Sequence, residues 1–231
     1  MTLISILGDS ISTYEGCNPP GYAVYYDRHT QKINGLKSMR DTWWAITADR
    51  LNASILINNS YSGSLVTGYQ FPAASGYERT QSLGTEQQDP DIILVYIGFN
   101  DFGNRIEITN EQNDFQEADR CFFFEDAYEL MLSRMKQRYP KAVIVCGTLM
   151  RTVIEFNDPW IFPENYMGAV FEDYNKAIRI AAKKQNVLLA DLSAHNIRYE
   201  TFDGTHPTRA GHRTIARAWL RCLEDLAVSG Q

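Results

Sequence analysis

Ser10 follows a strand-like run, Leu3-Ile4-Ser5-Ile6-Leu7, inside the tripeptide Gly8-Asp9-Ser10, and Asp203-Gly204-Thr205-His206-Pro207 lies near the opposite end of the chain. A serine hydroxyl is a poor nucleophile until a base takes its proton. An imidazole does this best when a carboxylate fixes its tautomer. A fold that joins these two segments supplies all three groups. His206 is then the candidate base, and Asp203, just before it across a glycine-containing turn, its orienting partner. Attack on an ester carbonyl also needs donors for the oxyanion, each lowering the barrier by about 3–4 kcal/mol. Three stand out: Ser10 N–H at the start of a helical turn, Gly63 at the end of Asn58-Asn59-Ser60-Tyr61-Ser62-Gly63, and the side-chain amide of Asn100 in Gly98-Phe99-Asn100-Asp101. Singly, each motif has a plainer reading, as a turn after a strand or a cap on the helix expected from Pro207 onward.

Five short apolar runs must position these residues: 2–7, 54–58, 91–97, 142–147 and 187–190. They are continuous rather than alternating, as in parallel strands covered on both faces. Helical periodicity marks 41–52, with Asp41 as its N-cap, and 125–138. It also marks 165–184, where Met167, Val170, Phe171, Tyr174, Ile178 and Ala181 form one stripe. A last helix from Pro207 carries Ile215, Trp219, Cys222, Leu223 and Leu226 on one face. The alternation predicts an α/β fold: a doubly wound, three-layer α/β/α sandwich with a five-stranded parallel sheet, as a single domain over 1–231. The connections 11–40, 59–90, 98–124 and 148–164 are long, and each follows a strand. They should emerge at the carboxyl edge of the sheet, where open α/β folds bind ligands. Every candidate residue falls just past a strand or in such a connection.

Composition narrows the partners. The 231 residues carry 28 Asp and Glu against 22 Lys and Arg, a formal charge of −6, which argues against nucleic acid or an anionic membrane surface. No run approaches the roughly 18 apolar residues of a spanning helix. Nothing before Ser10 reads as a secretion signal, so the expected location is cytoplasmic. Cys17, Cys121, Cys146 and Cys222 form no Cys-x-x-Cys pair, and the cysteines and histidines show no metal-ligand spacing. His212 is expected on a different side of the last helix from His206 and reads as structural; His29 and His195 read as loop residues. Of Trp43 and Trp44, one is expected in the core. Aromatic residues crowd three connections: Tyr14, Tyr22, Tyr25 and Tyr26; Phe122-Phe123-Phe124; and Phe156, Trp160, Phe162 and Tyr166. They either wall an acyl or glycosyl pocket or anchor long loops. The acid-rich stretch from Glu107 to Asp119 reads as a solvated loop face.

Four blocks together resemble the GDSL, or SGNH, hydrolase family. Gly8-Asp9-Ser10-Ile11 matches the first block, with Ile11 where leucine is commonest. Asn58-x-x-x-Ser62-Gly63 matches the second, Gly98-x-Asn100-Asp101 the third and Asp203-x-x-His206-Pro207 the last, in the family's order. The resemblance implies Ser10 as nucleophile, His206 as base and Asp203 as its partner. It also implies an oxyanion hole of Ser10 N–H, Gly63 N–H and the Asn100 side chain. The implied reaction is ester or thioester hydrolysis through an acyl-serine, with no metal or organic cofactor. Within that class the polar, aromatic loops favour small-molecule esters with small acyl groups such as acetyl on a carbohydrate. The alternatives are a lipase, lysophospholipase or thioesterase for longer chains, an acyltransferase, and a non-catalytic binding module.

Overall fold

The computed structural model describes residues 1–109, 117–154 and 160–229. Its centre is a five-stranded parallel sheet: β1 (Thr2–Gly8), β2 (Ala53–Ser60), β3 (Ile92–Tyr96), β4 (Val143–Gly147) and β5 (Leu188–Ala190). The spatial order is β2-β1-β3-β4-β5. This is the flavodoxin-like order, whose direction of winding reverses between β1 and β3. All five apolar runs in the sequence became these strands. In β1 and β3, Ile4, Ile6, Leu7, Ile93, Leu94 and Val95 are fully buried, so their continuous hydrophobicity reflects cover on both faces.

Two helix pairs flank the sheet. Helix α1 (Trp43–Arg50) packs on α4 (Arg209–Ser229), and α2 (Phe124–Arg138) packs on α3 (Phe171–Gln185). Both Trp43 and Trp44 are buried, where the sequence led us to expect one. The Trp43 ring stacks on Trp219 of α4 with centroids 5.4 Å apart, and both meet Tyr96 at the end of β3 edge-on. Each such ring contact adds about 0.5–1.5 kcal/mol beyond the area it buries.

Three helix boundaries differ from expectation. Helix α1 is capped by Thr42, whose Oγ1 accepts from Ala45 N–H, and not by Asp41. Asp41 is occupied elsewhere: Oδ2 accepts from Lys37 and Ser38 N–H, and Oδ1 takes Arg209 Nε at 2.6 Å, tying α4 to this turn. Residues 165–184 do not form one helix. Asn165–Tyr166 and Ala169–Val170 pair as a small antiparallel hairpin, because Met167 and Gly168 take positive φ values of 50° and 98°. Helix α3 begins only at Phe171, with Phe171, Tyr174, Ile178 and Ala181 buried as the periodicity required. Helix α4 starts at Arg209 instead of Pro207, since Pro207 bridges antiparallel to Thr201.

The histidine readings also resolve. His212 is fully buried in α4; its Nδ1 accepts from Trp43 N–H at 3.2 Å and its ring lies 5.1 Å from that of Tyr26. Burial lowers its pKa to about 3, so it is neutral and structural. His29 belongs to the short helix Arg28–Ile33, not to a loop, and His195 lies in an exposed turn. Phe156 and most of the acid-rich stretch from Glu107 to Asp119 lie outside the described residues.

Candidate active site

The chain leaves β1 through a tight turn that fixes Ser10. A Cβ on Gly8 would come within 2.7 Å of Ser12 Oγ and 2.9 Å of Ser60 Oγ, so only glycine lets β1 bend back this closely against β2. Asp9 Oδ1 then caps the 3-10 turn Ser10–Ser12 by accepting from Ile11 N–H at 3.0 Å. The Asp9 carboxyl is buried, and that burial pushes it up to about 6. Three donors hold the turn from behind: Trp43 Nε1 reaches Ser12 Oγ, while Trp44 Nε1 and Asn58 Nδ2 both reach the Ser12 carbonyl. The two tryptophans thus hold the serine turn through their indole N–H groups. Arg79, also buried, donates through Nη2 to the carbonyls of Gly8 at 2.9 Å and Asn59 at 2.8 Å, locking the ends of β1 and β2 together.

The Asp203–His206 segment is held just as closely from the other side. It follows Tyr199–Thr201, which pairs in parallel with Thr152–Ile154 in a second, two-stranded sheet. Gly204 N–H donates to Thr201 Oγ1, and the Gly204 carbonyl accepts from Thr152 Oγ1 at 2.7 Å. The Thr205 and Pro207 carbonyls accept from the phenols of Tyr199 and Tyr26 at 2.9 and 2.8 Å.

These two anchored segments meet. His206 Nε2 lies 2.9 Å from Ser10 Oγ, and His206 Nδ1 lies 2.7 Å from Asp203 Oδ2. Asp203 Oδ1 accepts from Thr205 N–H at 3.0 Å and from His206 N–H at 2.8 Å. Partial burial works to raise the Asp203 carboxyl, but its bonds to His206 and Thr205 outweigh that and hold it well below the usual carboxylate range. The carboxylate therefore stays ionised at neutral pH and fixes the tautomer with the proton on Nδ1, leaving Nε2 to accept from the serine hydroxyl. Ser10 is 5% exposed, so the hydroxyl works in a largely dry setting.

The other two candidates converge on one corner. Tyr61–Ser64 is a tight turn closed by Ser64 N–H on the Tyr61 carbonyl, with Gly63 at φ 80°. A positive φ at this third position calls for glycine. Asn100 Nδ2 donates to the Ser64 carbonyl at 2.9 Å, leaving its second hydrogen available. Neighbouring Asp101 accepts from Val66 N–H, Thr67 N–H and Thr67 Oγ1, so the start of the short helix Phe99–Gly103 is zipped to the loop after β2. Burial pushes the Asp101 carboxyl up to about 7. Among the described residues neither Ser10 N–H nor Gly63 N–H meets a protein acceptor.

A cleft of about 360 Å³ borders this constellation at Asn100, Asp203 and Thr205, and is walled by Trp160, Pro163 and Tyr166. Three larger hollows, of about 790, 610 and 430 Å³, are lined by none of Ser10, Gly63, Asn100, Asp203 and His206. Some residues of the aromatic connections anchor the loops and others line this cleft. Tyr26, Phe124 and Phe162 are buried anchors, whereas Trp160 and Tyr166 face the cleft. Among the described residues no group of three His, Cys, Asp or Glu side chains is arranged to hold a metal ion.

The model of the GDSL-like lipase/acylhydrolase family matches residues 2–155, two-thirds of the chain. The chain belongs to this family. Membership supports an ester-hydrolysing function. The family match covers Ser10, Gly63 and Asn100 but ends before Asp203 and His206, which the fold brings to the same place. Among solved structures, a candidate GDSL-like lipase from Bacteroides uniformis ATCC 8492 is 26% identical, with a TM-score of 0.71 over 97% of this chain and 96% of its own. Another, from Bacteroides ovatus ATCC 8483, is 24% identical with a TM-score of 0.74 over 97% and 99% of the two chains. A protein from Lactobacillus plantarum, 22% identical, gives 0.67 over 97% of each. These likenesses extend through the C-terminal third that the family match leaves out. No curated protein matches the chain.

Two features of the site escaped the sequence. Arg79, and the part Tyr25 plays beyond its place among the aromatic residues of the first connection, rest on several long-range contacts, which leave no periodic signature. Tyr25 lies with its ring flat against His206, centroids 3.4 Å apart and planes 9° from parallel, and its hydroxyl donates to Asp203 Oδ2 at 3.1 Å.

Proposed function

We propose that this protein is a serine esterase that transfers a small acyl group from a carbohydrate ester to water. The observation that carries the reading is the unbroken chain Ser10 Oγ, His206 Nε2, His206 Nδ1 and Asp203 Oδ2, with links of 2.9 and 2.7 Å. In the first half-reaction Ser10 Oγ attacks the carbonyl carbon while His206 Nε2 takes its proton. Ser10 N–H, Gly63 N–H and the free Asn100 amide hydrogen receive the oxyanion. The intermediate collapses with cleavage of the bond to the alcohol oxygen, which leaves with the proton from His206. Water then attacks the acyl-Ser10 ester, giving its proton to His206, and the displaced Ser10 oxygen recovers it. Asp203 stays ionised throughout and stabilises the imidazolium. No cofactor has a step to perform.

The cleft supports the small-acyl, sugar-ester reading. At about 360 Å³ it is small, and it mixes the aromatic faces of Trp160 and Tyr166 with Asn100, Asn104, Asp203 and Thr205. A pyranose presents the same mixture of apolar face and hydroxyl rim, whereas a long acyl chain calls for an extended apolar channel. The test is a series of p-nitrophenyl esters from C2 to C12, alongside release of acetate from an acetylated sugar. Hydrolysis of the C2 ester should exceed that of the C12 ester at least about tenfold, since each added methylene lacks a matching wall worth about 0.8 kcal/mol. Equal rates at C2 and C12 would remove the small-acyl preference and favour the lipase or thioesterase alternatives. No turnover of any of these esters would remove the esterase reading.

A further inference from the structure

The geometry points to Tyr25 as a positioning residue that holds His206 and Asp203 as one rigid unit. The inference rests on the serine-esterase reading of that pair.

Among the described residues, Tyr25 meets both residues from outside their segment. Its ring covers a face of the imidazole at 3.4 Å, and its hydroxyl takes up the same Asp203 oxygen, Oδ2, that accepts from His206 Nδ1. Four donors therefore surround the carboxylate: the Tyr25 hydroxyl, His206 Nδ1–H, and the backbone N–H groups of Thr205 and His206. Burial pushes the Tyr25 phenol up to about 12, so it remains a donor at neutral pH. The carboxylate cannot rotate without giving up one of these bonds. The imidazole cannot swing out of the line between Asp203 and Ser10 on the covered side.

The tyrosine is itself fixed relative to the serine. Tyr25 N–H donates to Thr13 Oγ1, whose hydroxyl donates to the Ser10 carbonyl at 2.9 Å. Tyr26, next in the chain, meets the Tyr25 ring edge-on and bonds the Pro207 carbonyl. Ala23, two residues earlier, accepts from Ser62 N–H at 2.8 Å, beside Gly63. Residues 23–26 thus form a brace that touches the serine turn, the histidine segment and the glycine turn together. A brace of this kind lowers the reorganisation needed as the imidazole becomes imidazolium, and the electron-rich face of a tyrosine attracts the charge that forms there.

The test compares wild type, Tyr25→Phe and Tyr25→Leu in kcat and KM for p-nitrophenyl acetate, with thermal unfolding and the low-field proton NMR signal of the His206–Asp203 bond. Tyr25→Phe keeps the stacked ring and loses the hydroxyl; we expect kcat to fall about fivefold with KM within twofold. Tyr25→Leu loses both, and kcat should fall about fiftyfold, again with little change in KM. The NMR signal should shift in Tyr25→Phe, as one competitor for Oδ2 leaves, and broaden or vanish in Tyr25→Leu. If kcat in both variants stays within twofold of wild type, the proposal is overturned. It is equally overturned if KM rises while kcat holds, because Tyr25 would then be a wall of the substrate site. Should Tyr25→Leu fail to fold, Tyr25→Phe alone decides by its kcat and its NMR signal. A Ser10→Ala control that keeps wild-type activity marks failure of the serine-esterase reading itself, separately from any result on Tyr25.

Discussion

Replacing Ser10 by alanine, or His206 by alanine, is expected to lower kcat for p-nitrophenyl acetate by roughly 10⁶-fold, and combining the two should cost little more. The non-additivity is the informative part. With the hydroxyl gone there is no proton for His206 to take. With the imidazole gone, the hydroxyl 2.9 Å away loses its acceptor and remains a neutral alcohol. Each single change removes the same event. A residual rate of about 10³–10⁴ over water should survive in all three variants, because the oxyanion donors are intact. Steady-state kinetics on the folded variants read this directly. A loss that doubled in logarithmic terms on combining the two would mean that serine and histidine act independently.

Asn100→Ala should cost about 10²–10³ in kcat with KM nearly unchanged, the signature of a donor used in the transition state and not in the ground state. The side chain has two jobs. One Nδ2 hydrogen holds the Ser64 carbonyl at 2.9 Å, and the other is available to the oxyanion. Loss of the first should soften the Gly63 turn and lower stability by about 1 kcal/mol. The Asp101 contacts to Val66 and Thr67 keep the loop attached, so the variant should fold. Circular dichroism and urea unfolding separate the two effects. A kcat within threefold of wild type would remove Asn100 from the oxyanion hole.

What the residues disclosed before folding, and what they withheld, follows from the range of each interaction. The five strands were legible because burial on both faces leaves continuous apolar runs such as Ile92–Tyr96. Ser10, Gly63, Asn100, Asp203 and His206 could be picked out as candidates because the four blocks that hold them resemble a known family's blocks in the same order; of the five, only Gly63, at φ 80°, is called for by the backbone itself. The hairpin before α3 was hidden inside an apolar stripe that suited a helix. Gly168, next to Met167, was the signal that the stripe should be cut there. The two-stranded sheet of Thr152–Ile154 and Tyr199–Thr201 pairs three residues with three and carries no periodicity of its own. It still positions the Asp203–His206 segment. Arg79 shows the limit most plainly. A cation within Tyr77–Gln81 reads as solvent-facing, yet it is buried and bonded to Gly8, Asn59 and Pro72. Only the meeting of β1 and β2 creates that site.

The central claim is that the Ser10 oxygen is the atom made reactive by His206 and Asp203. The most direct measurement is intact-protein mass spectrometry with peptide mapping after brief exposure to a fluorophosphonate, which reacts with an activated serine and spares an ordinary one. The account predicts one adduct per chain, mapped to Ser10, absent from Ser10→Ala and formed far more slowly in His206→Ala. Undiminished labelling in Ser10→Ala, or ester turnover by a wild-type protein that takes no label at Ser10, would contradict it.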